Sequence, residues 1–191
     1  MITSKKQLKD TLLIDAKANS RKTITPKLLG DDLWKFIVAM RKLDYYSFRK
    51  KKSPLYIIPW ALYRLKYRRL SLRLGFSIPY YAADAGLGLM HYGTIVINDN
   101  VRIGKNCKIH TCVNIGATGG KPEAPQIGNN VYIGPGAKLV GDITIADGVC
   151  IGAGAVVVKS IEEPNTTWAG VPAKKISDNS SHCHLSPMLF E

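Results

Sequence analysis

A six-residue repeat constrains the fold of this chain more than any other feature of its sequence. From residue 97 to residue 157 an aliphatic residue returns every six positions, apart from one double-length step. An α-helix of about 3.6 residues per turn cannot keep this period on one face. A solenoid can, because each hexapeptide then supplies one short strand and one turn, and three hexapeptides complete a triangular coil. The repeated positions are Ile97, Ile103, Ile109, Ile115, Ile127, Ile133, Leu139, Ile145, Ile151 and Val157.

The repeat also sets the predicted limits of the main domain. Its register extends back to His91 and Ala85, so the solenoid is predicted to cover residues 78–176. Its one interruption, Ala117 to Gln126, is an insertion, and insertions in solenoids form loops on one face, often the binding face. A sandwich of short strands would instead show turn signals about every 8 to 12 residues. We therefore predict a mainly β domain, a parallel β-helix of hexapeptide repeats.

Positive charge is concentrated before the repeat. Residues 1–75 contain 19 Lys and Arg against 5 Asp and Glu, whereas residues 76–191 contain 8 against 9. Apolar spacing predicts a basic α-helical extension over residues 1–77, and residues 177–191 lack a pattern and are predicted to form a flexible tail. No apolar run has the length of a membrane span and no secretory signal is recognisable, so a cytoplasmic protein is expected.

Four segments resemble a known family. They are residues 86–96 around His91, residues 113–120, residues 133–139 and residues 163–174. Through them the chain resembles hexapeptide-repeat acyltransferases, in particular serine acetyltransferases and the serine-acetyltransferase-like proteins of bacterial capsule and exopolysaccharide clusters. The resemblance implies a left-handed β-helix and acetyl transfer from acetyl-CoA to a hydroxyl group without a metal. It also implies a homotrimer with active sites between neighbouring chains.

His91 matches the catalytic histidine of this family, which implies a general base. In the repeat it occupies an inward aliphatic position, where an imidazole needs hydrogen-bond partners or access to a cleft. A satisfied structural histidine is the alternative. His110 follows the inward Ile109 and is expected to point outward into the same groove or to be an ordinary surface histidine.

Small turn residues and a few larger ones near the end of the repeat are the candidates for binding acetyl-CoA. Glycine and alanine leave bare backbone for the pantetheine arm, although tight solenoid corners also require them. An indole can flank the adenine and lysines can meet phosphates, unless the lysines are simply solvated. The candidates are Gly116, Ala117, Gly119, Gly120, Gly136, Ala137, Ala153, Gly154, Trp168, Lys174 and Lys175.

The chain also departs from serine acetyltransferases. Met90 stands where those enzymes have an aspartate before the histidine, and Ala124 replaces a second active-site histidine. Phe76 and Ser77 fall where another acid is expected. These groups orient the base and hold the amino acid, so the predicted acceptor is a sugar hydroxyl in polysaccharide biosynthesis. Serine is the alternative acceptor, and a non-catalytic β-helical scaffold is an alternative of another class.

Other partners follow from charge and histidine content. Residues 41–73 carry eleven Lys and Arg interleaved with aromatic residues, a mixture that predicts docking on the anionic inner face of the plasma membrane. The alternative is that the aromatic residues pack the helices.

Nucleic acid is not predicted, because no recognised motif accompanies the charge. A zinc site of the γ-carbonic anhydrase type needs three histidines at ligand spacing, which His91, His110, His182 and His184 do not provide. The four cysteines are expected to be reduced.

Overall fold

Helices precede a parallel β-helix in this computed structural model, which describes residues 1–191. The helices are α1 (Lys5–Ala18), α2 (Asp32–Lys50) and α3 (Ile57–Leu74). The strands are β1 (Phe76–Ser77), β2 (Gly88–Leu89), β3 (Ile95–Ile97), β4 (Arg102–Ile103), β5 (Lys108–Ile109), β6 (Val113–Gly116), β7 (Gln126–Ile127), β8 (Tyr132–Ile133), β9 (Lys138–Val140), β10 (Thr144–Ile145), β11 (Cys150–Ile151), β12 (Val156–Val157), β13 (Thr167–Ala169) and β14 (Lys174–Ser177).

The strands form three sheets, one on each side of the triangular coil. Sheet A has the order β1-β3-β6-β9-β12, sheet B the order β10-β7-β4, and sheet C the order β14-β13-β11-β8-β5-β2. Each strand pairs in parallel with the strand one coil away, as Ile97 does with Ile115, and β14 alone runs antiparallel to its neighbour. The ten repeated aliphatic residues are all 5% exposed or less, so they fill the core. The solenoid prediction is confirmed.

The coils stack so closely that some turns admit only glycine. A methyl group on Gly104 would lie 2.7 Å from the carbonyl carbon of Gly128 in the next coil. Gly104→Ala is therefore expected to lower the free energy of unfolding by about 1–3 kcal/mol, the usual cost of overpacking. Gly116→Ala is the matched control, because the nearest atom there is 3.4 Å away. Denaturant midpoints measure both variants, and equal midpoints would contradict the packing argument.

Side chains of α1 complete the exposed edge of the first coil. The strand β2 has no coil beneath it, so its backbone groups need other partners. Asn19 donates to the carbonyl of Leu87 at 2.9 Å and accepts from the amide of Leu89 at 3.0 Å. Asp15 accepts from the amides of Gly86 and Leu87 at 2.8 and 3.0 Å. The helical extension thereby closes one end of the β-helix.

A buried ion pair joins two helices to the same coil. Arg41 on α2 donates to both carboxylate oxygens of Asp15, at 2.8 and 3.1 Å, and the residues are 3% and 0% exposed. The Arg41 guanidinium also donates to the carbonyls of Ala83 and Asp84, each at 2.6 Å. In the sequence, Arg41 was only one of the many positive charges that precede the repeat. The structure gives it a packing role that unites the extension and the β-helix in one core.

The C-terminal residues differ from the prediction of a flexible tail. Residues 177–191 fold back along the outside of sheet C, with Ser181 1% and Leu185 5% exposed. The amide of Ser181 donates to the carbonyl of Gly148 at 2.9 Å, and the hydroxyls of Ser20 and Ser186 lie 3.3 Å apart. Individual polar contacts hold this segment, so it shows no periodic signal in the sequence.

None of the helices is long and apolar enough to span a membrane.

Candidate active site

One corner of the β-helix, between sheets C and A, gathers the candidate chemistry. Its turns comprise residues 90–94, 110–112, 134–137 and 152–155. They stack through backbone hydrogen bonds, from the amide of Gly136 to the carbonyl of Thr111 at 2.9 Å and from Gly154 to Pro135 at 2.8 Å. Gly136 and Gly154 have φ values of 75° and 66°, which glycine adopts without strain. A methyl group on Gly154 would meet nothing within 4 Å, so the turn presents bare backbone to solvent.

His91 lies at this corner, but not in the core position that the repeat predicted. Its side chain is exposed, and Leu89 occupies the inward position instead, opposite Ile109. Ala83, and not Ala85, likewise faces Ile103. The turn between β2 and β3 is therefore two residues longer than the turn between β5 and β6, and the extra length places His91 in that turn. The inward-position argument for His91 is wrong, and its surface position leaves the imidazole accessible to a substrate.

Four aromatic rings form a column beside the corner. The ring of His91 lies 6.3 Å from that of His110, His110 lies 5.2 Å from Tyr132, and Tyr132 stacks on His184 at 4.5 Å. The half-buried His110 thus joins His91, as its outward position predicted. Sequence analysis missed Tyr132 and His184. The repeat does place Tyr132 on the outer face of sheet C, one coil above Lys108, whereas no sequence signal leads to His184.

Burial and positive neighbours disfavour the charged form of His110. Burial lowers the pKa of the His110 imidazole, and the charges of Lys108, His91 and His184 add to this effect. Lys108 donates to the carbonyl of His184 at 2.7 Å, and burial lowers its pKa as well. No carboxylate forms a hydrogen bond or an ion pair with His91 or His110. The neutral form of an imidazole can accept a proton, which is the work of a general base.

A titration tests the environment of His110. Its pKa is expected below about 6.5, the ordinary value for imidazole, and Lys108→Met is expected to raise it towards that value. NMR titration of the imidazole proton measures both, with the urea-unfolded protein as the reference. Because the folded pKa is the lower one, the unfolded state binds more protons, and acidification below pH ~6.5 should destabilise the fold through His110. A His110 pKa equal to the unfolded value would contradict this environment.

The candidate cofactor residues divide between two corners. Gly136, Ala153 and Gly154 stand in the turns beside His91. Gly116, Ala117, Gly119 and Gly120 lie at the other end of sheet A, where β6 ends and the inserted loop begins. Ala124 in that loop is 2% exposed. Within one chain the strands of sheet A separate these two groups, so a single protomer does not bring them together.

Three of the candidates have surroundings that the sequence did not predict. Ala137 is 0% exposed, and its amide and carbonyl are bonded to Gly134 and Asn114, which leaves it no contact with a ligand in this protomer. Trp168 lies opposite Ile151 and packs on the top of the core, with its indole donating to Thr166 at 2.9 Å. The Lys175 ammonium contacts Glu163 and Asp178 at 2.5 and 2.6 Å. Lys174 is exposed and forms no ion pair, so it is the better phosphate contact.

One of the four cysteines, Cys112, is exposed and lies in a turn of the corner. All four cysteines are free, and burial raises the pKa of the Cys107 thiol to about 12. The structure contains no group of three or more His, Cys, Asp or Glu side chains placed to hold a metal ion.

Known proteins share this architecture. Residues 124–159 match the family model of the bacterial transferase hexapeptide (six repeats). A serine acetyltransferase of Buchnera aphidicola subsp. Schizaphis graminum is 45% identical over 100 residues, covering 50% of this chain and 38% of that relative. The Escherichia coli K12 serine acetyltransferase is 39% identical over 104 residues, covering 52% and 38%. The crystal structure of a Brucella abortus serine acetyltransferase has a TM-score of 0.70 at 25% identity, covering 93% of this chain and 72% of its own.

These comparisons confirm the resemblance to serine-acetyltransferase-like hexapeptide-repeat acyltransferases. They also confirm the predicted fold, a left-handed β-helix with N-terminal helices. The chain spans 38% of the length of the two sequence relatives.

Proposed function

We propose that the chain is an acetyl-CoA-dependent O-acetyltransferase with His91 as general base. The observation that carries the proposal is the placement of His91 and His110 at an accessible corner, beside glycine turns with bare backbone. The resemblance to serine acetyltransferases supports it. A non-catalytic scaffold would need neither the paired imidazoles nor the open turns.

The chemistry uses groups of this chain in simple roles. Acetyl-CoA supplies an activated acetyl group as a thioester. His91 accepts the proton of the acceptor hydroxyl as its oxygen bonds to the acetyl carbon. The resulting imidazolium then returns this proton to the departing thiolate, so that an acetyl ester and free CoA form and His91 is neutral again. Gly136 and Gly154 offer backbone that a pantetheine arm can approach closely, and Lys174 is the proposed phosphate contact.

A homotrimer explains the division of the cofactor residues. In one chain Gly116 to Gly120 lie across sheet A from His91. A neighbouring copy packed along this sheet would bring its own Gly116 to Gly120 to the His91 corner and form a complete site. Light scattering of the purified protein is expected to give three times the 21.0 kDa mass of the chain. A fully active monomer would contradict the shared site.

Serine is the first candidate acceptor. The two sequence relatives and the solved structure described above are all named serine acetyltransferases, and none of these names concerns a polysaccharide. The comparisons thus favour the alternative prediction of the sequence over the sugar acceptor. The same likeness makes acetyl-CoA the expected donor.

A sugar hydroxyl is the second candidate, because of one feature of the corner. Its four turns contain no Asp or Glu, and Met90 precedes the histidine. The ammonium group of free serine would therefore meet no carboxylate from these turns, whereas a sugar hydroxyl needs none. Release of free thiol from acetyl-CoA should be followed with L-serine and with a panel of sugars and oligosaccharides. Turnover with serine alone would remove the sugar candidate, turnover with sugars alone would remove serine, and no turnover with any hydroxyl acceptor would contradict the proposed function.

The cellular predictions are separate from this chemistry. No comparison concerns a membrane, and docking of residues 41–73 on an anionic bilayer stays a prediction of the sequence. A cytoplasmic location and a role in polysaccharide biosynthesis also stay predictions.

A further inference from the structure

A second cleft, of about 670 Å³, lies at the opposite edge of sheet A from the His91 corner. It is enclosed by the end of α2, the face of α3 and the segments 76–81 and 97–99. None of the candidate acetyl-CoA residues lines it. Its walls combine aromatic rings, among them Trp60, Tyr80 and Tyr81, with several basic side chains.

The charges that line this cleft are unbalanced. Lys50, Lys51, Arg64 and Arg68 face a single acid, Asp99, and none of the four cations forms an ion pair. Like charges held close together repel one another unless an anion lies between them. The cleft therefore presents a strongly positive potential to a ligand.

Two of these cations converge on one ring. The Lys50 ammonium lies 3.1 Å from the centre of the Trp60 ring, and the Arg64 guanidinium carbon lies 5.2 Å from it. Burial lowers the pKa of Lys50, and the charges of Arg64 and Lys51 lower it further. The indole thus holds two cationic donors, and charge-assisted hydrogen bonds from both would favour an anion with several oxygen atoms.

A buried hydroxyl supplies an independent sign of a missing partner. Ser47 lines the cleft and is only 7% exposed, yet its hydroxyl oxygen has no hydrogen-bond partner. Buried polar groups are nearly always paired, and each exception needs an explanation. A polar ligand in the cleft would provide that partner.

We propose that this cleft binds a ligand carrying a phosphate group, held by Lys50 and Arg64 with a further hydrogen bond from Ser47. A phosphate monoester carries about −1.5 to −2 charges, so it can balance more than one of the four cations, which a single carboxylate cannot. The aromatic wall accommodates the rest of the ligand. A soluble organic phosphate and a phospholipid headgroup with a phosphate monoester, such as phosphatidic acid, present this same chemistry.

Calorimetry of the full chain with inorganic pyrophosphate tests the site. Binding is expected at about 0.15 M salt, where diffuse surface attraction is largely screened. Lys50→Gln/Arg64→Gln should weaken it at least about tenfold, because two charge-assisted contacts are lost. Lys5→Gln/Lys9→Gln removes the same charge from the exposed face of α1 and should bind like the parent. Ser47→Ala should also weaken binding while leaving the ligand-free protein at least as stable, because the orphaned hydroxyl is gone.

Vesicles distinguish the two sources of phosphate. Co-sedimentation with phosphatidic acid vesicles, lost in Lys50→Gln/Arg64→Gln and reversed by pyrophosphate, would identify a headgroup. Pyrophosphate binding without vesicle binding would identify a soluble phosphate. Absence of binding to both probes, or equal binding by the two double variants, would overturn the proposal. Pyrophosphate binding that is lost in Lys174→Gln would also overturn it, since that result places the anion at the candidate cofactor corner.

Discussion

The His91→Asn variant is expected to lose about 10²- to 10⁴-fold in kcat, the usual contribution of a positioned general base. Asparagine fills a similar volume but cannot take the proton of the acceptor hydroxyl. The exposed position of His91 means that the substitution should leave folding intact. Steady-state thiol release from acetyl-CoA measures kcat, and light scattering with a thermal melt verifies assembly and folding.

Two further histidine variants make this result specific. His182→Asn is the matched control, because His182 stacks on Phe190 at 3.9 Å and lies outside the corner, and it should leave kcat unchanged. His110→Asn separates the two neighbouring imidazoles. Near-normal turnover of a folded His91→Asn protein, with a large loss in His110→Asn, would transfer the role of base to His110.

The Arg41→Met variant is expected to lose about 3–5 kcal/mol of unfolding free energy, the typical cost of breaking a buried ion pair. Methionine retains much of the length and the apolar contacts of the side chain. It leaves the Asp15 carboxylate buried without its cation and the carbonyls of Ala83 and Asp84 without their donor. Chemical denaturation followed by circular dichroism measures the loss.

An exposed ion pair of the same type gives the control. Arg73 contacts Asp32 at 3.1 Å, with its side chain 73% exposed. Solvent screens such pairs, so Arg73→Met should cost less than about 1 kcal/mol. Similar losses in the two variants would show that the Arg41 pair does not have the structural role described here.

The sequence predicted much of the site, although a separate argument led to each of its residues. The family motif led to His91, and the outward position after Ile109 led to His110, whose ring lies 6.3 Å from His91. The stacked turns that hold Gly136 and Gly154 followed from the repeat. The position of His184 did not, since His184 reaches the column only because residues 177–191 fold back over sheet C.

The sequence by itself determined the β-helix, its core and the concentration of charge before it. A coil pairs residues at an almost constant separation, so a one-dimensional period directly specifies which side chains stack inward, as Ile97 and Ile115 do. Only the tertiary structure decided the first coil. No coil lies beneath it, so its backbone groups bond to Asp15 of α1 and to Asn19, which follows α1. There Leu89, and not His91, takes the inward position, because Leu89 pairs with Ile109 of the coil above and the longer turn after β2 contains the two extra residues.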